Sequence, residues 1–338
     1  MSNALRGIRA FFSATLFVCF LFLAWQVQTA IYLIYQANGQ LRVLSQSTAL
    51  STYLVKTTLS KQEVENAALV EKIKAYSVNE LAYKPTNNYT HVYDQKNANS
   101  LWVITACEAF DLKPYEWDFP IVGKVSYKGF FKKELAMEEM KRLAGKGLDT
   151  DLRAVSAWST LGWFNDPLLS SMLQRSKGSF CNLLFHELFH STYYASGTVD
   201  FNENMANFVA HKASLRFLKT DTLALKDYQN LYTDRQVFNR YMLRQIKSLD
   251  SYYQSIKSKP NKHQLKQVAI QSLADSIEAL PLINKKPYMA RKKDILESKN
   301  AYLLDFIQYD SLQDSLEKVF NKIYNGNLQK LVRDLKLN

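Results

Sequence analysis

The chain has 338 residues, 47% apolar and 22% charged, which is the composition of a globular protein and excludes collagen-like or wholly disordered readings. Three cysteines are too few for a disulfide-stapled scaffold, and ten glycines argue against Gly-rich nucleotide loops. The formal charge is +12, spread over lysines in helical patterns, with no Cys/His finger, RNP-like strand or basic zipper region, so no nucleic-acid partner is expected.

Residues 10–25 (AFFSATLFVCFLFLAW) are uncharged and almost wholly apolar, and QVQTAIYLIY carries the run to residue 35. Such a stretch can span about 30 Å of hydrocarbon as a helix. Arg6 and Arg9 precede it and no acid occurs before Glu63, so charge asymmetry predicts a cytoplasmic N-terminus and an exported body. A cleaved signal competes, but Phe22-Leu23-Ala24 and Gln28-Thr29-Ala30 lack the small-x-small pattern, and Phe17-Val18 before Cys19 does not suit a lipoprotein site. The expectation is a membrane anchor over 1–35.

Periodicity then predicts a helix over 38–82, followed by a polar break over 83–99. Leu101–Thr105 and Phe119–Tyr127 read as strands, Glu134–Leu143 as a helix closed by Gly145-Lys146-Gly147, and Thr150–Ser156 as a third strand. Helices are expected over Gly178–Ala195 and Asn202–Phe217. From Tyr228 onward only helical pattern follows, interrupted at Pro260, Pro281 and Pro287. The fold class is α+β, with a small sheet packed on two central helices, a core over 36–220 and a helical subdomain over 221–338. Cys107 and Cys181 read more simply as two separate buried thiols than as a bridge.

Residues 183–190 read LLFHELFH, so His186-Glu187-x-x-His190 is an HExxH motif. On a helix, positions i and i+4 share a face and both imidazoles can reach one cation. Glu187 lies one step round, where it can serve a water without occupying the metal. That is the arrangement zinc hydrolysis requires. Three downstream residues are candidates for the third ligand: Asp200, Glu203 and His211. Tyr193 and Ser196 stand where a metzincin would need Gly and His. Gly197-Thr198-Val199-Asp200 matches part of an aspzincin segment, and Asn202-Glu203-Asn204-Met205-Ala206 matches the gluzincin Asn-Glu-x-x-Ala. A bland alternative makes Asp200 and Glu203 a helix-capping pair. His211 lies two turns beyond Glu203, too far for both to hold one ion. Glu203 is preferred.

Several segments together resemble the predicted bacterial aminopeptidases, exported HExxH proteins related to gluzincins. They are Tyr32–Gln46 (YLIYQANGQLRVLSQ), Leu112–Phe131, Ala157–Leu173 and Leu183–Ala210, with a weaker echo from Pro287 through Tyr302 to Arg333. The resemblance implies a zinc ion held by His186, His190 and Glu203, with Glu187 as general base. It also implies a peptide or protein substrate, and a bacterial inner membrane with the body in the periplasm. The chain departs from the family at Tyr288-Met289-Ala290, where Asn-Asn-Ala is usual, and at His211, where acids are usual. No Gly-x-Met-Glu-Asn segment is present to anchor a substrate α-amine, so peptidase is the better-supported reading and aminopeptidase the narrower one.

Ser156–Pro167 (SAWSTLGWFNDP) can line a cleft or simply pack Trp158, Trp163 and Phe164. Tyr127, Tyr193 and Tyr194 are candidate oxyanion donors, and residue type alone does not choose among them. His91 and His263 read as surface histidines. The alternative to a zinc peptidase is an anchored, non-catalytic scaffold whose metal site is closed by a fourth ligand, Asp200 or His211.

Overall fold

The computed structural model describes residues 27, 29–96, 98, 101–119, 123–155, 164–195 and 198–337. Most of the apolar run over 10–35 therefore lies outside the described residues, as does 156–163 of the aromatic segment. No described helix is long and apolar enough to cross a membrane.

The helix expected over 38–82 forms in pieces. Helix α1 covers 29–46, a short strand β1 (Thr48–Ala49) leads into α2 (Leu50–Lys56), and α3 spans Lys61–Leu81. The Ser47 hydroxyl donates back to the Val43 carbonyl at 2.6 Å, which ends α1. Helix α3 restarts because Ser60 and Glu63 form a capping box. Ala82, at φ 59, closes it.

The strands form three small sheets rather than one. Strand β2 (His91–Tyr93) pairs antiparallel with β1 and parallel with β8 (Leu168–Leu169). Strand β3 (Trp102–Cys107) lies between β6 (Tyr127–Phe130) and β7 (Asp149–Ala154), both antiparallel, with Trp102 opposite Phe130 and Ala154. The strand expected over Phe119–Tyr127 is instead a hairpin of β4 (Trp117–Phe119) and β5 (Gly123–Val125), with Gly123 at φ 75, before the chain leaves for β6. The β6-β3-β7 sheet packs on α4 (Lys133–Ala144). Among the described residues the HExxH helix packs mainly on other helices, so the expected sheet-on-helix arrangement is corrected to helix on helix.

Beyond β8 the chain is helical: α5 (Ser170–Leu173), α6 (Lys177–His190), α7 (Val199–Phe217), α8 (Thr222–Ile256), α9 (Lys262–Asp275), α10 (Lys286–Ser298), α11 (Asn300–Asp310), α12 (Gln313–Tyr324) and α13 (Leu328–Leu335). Pro287 opens α10 in its first turn rather than interrupting a helix, because its missing N–H is not needed there. Cys107 on β3 and Cys181 on α6 are both buried and free.

Helix α6 is apolar nearly all round and lies in the main core against α3 and α7. Phe180, Phe185 and Phe189 are fully buried, each contributing about 2–3 kcal/mol of transfer free energy. Helices α12 and α13 return to this core through Leu316, Phe320 and Leu331. Near its start α6 meets α8 at Gly178, where a Cβ would lie 2.5 Å from that of Tyr228. Only glycine permits that approach.

Candidate metal centre

Burial of α6 carries its few polar side chains into the core, where each must find a partner. His186 and His190 stand one turn apart, and their Nε2 atoms lie 3.0 Å from each other. Helix α7 packs against this face and brings in Glu203. Its Oε2 is 3.2 Å from His186 Nε2 and its Oε1 is 3.5 Å from His190 Nε2. The three side chains each offer one ligand atom within 4.8 Å of the others. Tetrahedral zinc with bonds of about 2.0–2.1 Å sets its ligands about 3.3 Å apart. Two imidazole nitrogens and a carboxylate at these spacings suit one such ion and leave a position for water.

The short segment around Glu203 divides its work. Asn202 pins the α6–α7 connection, donating to the Ala195 carbonyl at 2.7 Å and accepting from the Ala195 amide at 2.9 Å. Asn204 Oδ1 accepts from the Leu312 amide at 2.9 Å, tying α7 to the start of α12. Ala206 is fully buried. One turn after Glu203, Asn207 Oδ1 lies 3.0 Å from His186 Nδ1. Since Oδ1 can only accept, Nδ1 carries the proton, and in the neutral imidazole this leaves the lone pair that a metal takes on Nε2.

The other two ligand candidates lie apart from this group. Asp200 is exposed at the second position of α7, whose N-cap is Thr198, and it makes no cap hydrogen bond. The capping-box reading of Asp200 and Glu203 therefore does not hold. His211 stacks on Tyr232 with ring centroids 3.4 Å apart, and its Nδ1 lies 3.0 Å from the Tyr228 hydroxyl. Burial, with Lys212 and Arg235 nearby, pushes its pKa down to about 3 and keeps it neutral. His91 and His263 are exposed.

Desolvation works against the Glu203 carboxylate, but its hydrogen bonds to His186 and His190 outweigh it and hold its pKa at about 2. His186 is pulled the other way by burial, and contact with Glu203 and the charge of Glu187 leave it raised. Glu187 is buried beside the two histidines. Desolvation raises its pKa, partly offset by His186 and His190, which is the tendency of a proton acceptor. Of the three tyrosines, Tyr193 packs its ring on Phe189. Tyr194 lies with its ring 6.3 Å from that of His190, and Tyr127 is within electrostatic reach of both Tyr194 and Glu203. Desolvation raises the Tyr127 hydroxyl to about 12, so it is a proton donor at neutral pH.

The sequence matches, over residues 31–337, the profile of the family described as "Putative aminopeptidase". The chain belongs to that family. No curated protein and no solved structure matches it. Membership in the aminopeptidase family implies a peptidase acting on peptides, and the His-His-Glu group is consistent with one of HExxH type.

Three neighbours of this His-His-Glu group carried no motif. Arg175, just before α6, is half-buried with its charge near Glu187. Arg235 on α8 opposes protonation of both His186 and His211. Tyr89 is fully buried, with Glu187 and Asp166 as its electrostatic neighbours. Each reaches the site through packing between distant segments, and no local pattern announces that.

Proposed function

We propose that the chain is a zinc-dependent peptidase of gluzincin type, with aminopeptidase action as the narrower form of the reading. The observation that carries it is the convergence of His186, His190 and Glu203 on one point, with Glu187 beside them and hydrogen-bonded to none of them. A zinc ion held there supplies Lewis acidity, polarising a carbonyl and lowering the pKa of a water. Glu187 takes the proton of the attacking water and passes it to the leaving amine. Asn207 holds His186 in the tautomer a metal needs. Tyr127 lies near Glu203 and Tyr194 near His190, so a hydroxyl of either can donate to the developing oxyanion.

A scaffold with a structural metal would need a fourth protein ligand. Asp200 and His211 were the residues to supply it. His211 is engaged by Tyr228 and Tyr232, and Asp200 lies outside the convergent group, which favours the catalytic reading.

The apolar run over 10–35, preceded by Arg6 and Arg9, supports a further proposal, that the body is held at the bacterial inner membrane and faces the periplasm. Protease added to spheroplasts should digest the body, and full protection would reverse the orientation.

The test of the reaction is metal analysis of the full chain together with cleavage of a peptide library presented with free and with blocked N-termini. Zinc at one per chain and cleavage of the free set alone gives an aminopeptidase. Cleavage of both sets gives an endopeptidase, and no cleavage by zinc-loaded protein counts against peptidase action.

A further inference from the structure

Helix α1 carries three distinct lines of residues around its axis. Tyr32, Gly39 and Val43 form the line turned to the body. The Tyr32 hydroxyl donates to the Gly129 carbonyl of β6 at 2.9 Å, and its ring stacks on Phe119 with centroids 5.6 Å apart. A Cβ at Gly39 would lie 2.1 Å from the Phe131 ring, so only glycine lets the helix come this close, and Val43 is buried. These contacts fix α1 to the body along its length.

The line on the far side is apolar and open to solvent. Val27, just before α1, shares one helical face with Ile31, Ile34 and Leu41, and each of the four is 47–60% exposed. Ala30 and Ala37 beside them are exposed as well. A soluble surface seldom leaves such a stripe uncovered. The helix is not apolar enough to cross a membrane, and its one charged residue is Arg42. An apolar face on a helix of this kind suits one lying along a bilayer surface.

Between the two lines a cleft of about 210 Å³ opens against β6 and the start of α4. Rings of Tyr32, Tyr35, Phe130 and Phe131 line it, and the charged residues lining it, Arg42 and Lys132, are both basic. Neither makes an ion pair among the described residues, and Lys132 Nζ sits over the Tyr35 ring, 4.8 Å from its centroid. Tyr35 and Arg42 stand one step round the helix from Ile34 and Leu41, so the cleft borders the stripe. Unpaired cations among aromatic rings, next to exposed aliphatic side chains, match a ligand that is anionic at one end and apolar at the other. A phospholipid is such a ligand, and interfacial Tyr, Lys and Arg are its usual neighbours. The sequence favours it over a folded partner: the uncharged, apolar residues 10–25 lead into this helix, and no acid occurs before Glu63.

We propose that the stripe on α1 and the adjoining cleft form a docking surface for an anionic bilayer leaflet. Ile31, Ile34 and Leu41 enter the boundary between headgroups and chains, and Arg42 and Lys132 take the phosphate of a phospholipid seated in the cleft. Because α1 is packed into the body, this contact holds the body against the membrane at a fixed tilt, where an anchor alone would leave it on a tether. The proposal rests on the proposed placement of the body at a membrane and is independent of the peptidase reading.

The test is the rate at which a membrane-impermeant maleimide labels Ile34→Cys, Leu41→Cys and Val55→Cys. The full chain is used in a Cys19→Ser background, reconstituted in phosphatidylglycerol vesicles. Cys107 and Cys181 are buried, and Val55 on α2 is 87% exposed and serves as the reference. Each rate is divided by that of the same variant unfolded in urea without lipid. Ile34→Cys and Leu41→Cys should react about tenfold or more slowly than Val55→Cys. Equal rates, within about twofold, overturn the proposal. Arg42→Gln combined with Lys132→Gln, both at exposed positions, should speed labelling of Leu41→Cys at least about threefold, as should phosphatidylcholine in place of phosphatidylglycerol. No change in either case overturns the phosphate site. Protection that follows protein concentration at fixed lipid shows a second copy on the stripe and overturns the proposal too. An alkaline carbonate wash separates this contact from the anchor. A chain washed off, yet protected at neutral pH, supports docking and counts against the anchor. A chain retained, with Ile34→Cys as reactive as Val55→Cys, counts against docking alone.

Discussion

His186 Nδ1 and Asn207 Oδ1 lie 3.0 Å apart, and Asn207 stands one turn beyond Glu203 on the same face of α7. One helix therefore offers both the carboxylate of the His-His-Glu group and the side chain that meets an imidazole of the neighbouring helix. Loss of Asn207 frees the imidazole to turn and to change tautomer. Asn207→Ala should weaken zinc binding about 10–100-fold with little change in the fold, as measured by competition with a zinc chelator and by circular dichroism. Asn207→Asp should retain most of the affinity.

The three acceptors once open for the third ligand now separate by contact. Glu203→Ala should abolish stoichiometric zinc binding, because two histidines alone do not hold the ion tightly. Asp200→Ala should bind zinc like the parent. His211→Ala should also keep its zinc but lose about 2 kcal/mol of stability, through the stacking on Tyr232 and the contact with the Tyr228 hydroxyl. Isothermal titration with zinc and urea unfolding of the three variants check this.

What the sequence made legible is what short-range geometry determines. The i, i+4 spacing alone places His186 and His190 on one face, and Asn-Glu-x-x-Ala marks α7. Asn207 could be placed on the Glu203 face, but its bond to His186 depends on how α7 packs against α6. The break between α1 and α3 was written locally in Ser60-Lys61-Gln62-Glu63, yet the apolar periodicity over 38–82 masked it. The division of 119–127 between two sheets follows from a reversal at Gly123 that an apolar run does not reveal. Tyr89, Arg175 and Arg235 had no signature, since their nearness to the site is created by segments tens of residues away.

Away from the site, Glu139 ties α4 to the sheets. Its Oε1 accepts from Trp117 Nε1 at 2.7 Å, its Oε2 accepts from Arg142 Nε at 2.7 Å, and Lys128 Nζ lies 3.6 Å away. Desolvation opposes the charged form, but these partners hold its pKa at about 2. A folded pKa below the unfolded 4.5 means stability that is present above about pH 4.5 and is lost as pH falls towards 2. Glu139→Gln should therefore cost about 1–3 kcal/mol at pH 7. The difference from the parent should shrink to near zero by about pH 2, as urea titrations across that range would record.

The most direct test of the account sets zinc-loaded parent and zinc-loaded Glu187→Gln side by side on the same peptide library, with metal content measured in both. The parent should cleave. Glu187→Gln should bind an equal amount of zinc, since both histidines and Glu203 are intact, and lose about 10²–10⁴-fold in kcat. Cleavage by Glu187→Gln at the parental rate, with zinc equally bound, would contradict the assignment of Glu187 as the base and with it the proposed mechanism.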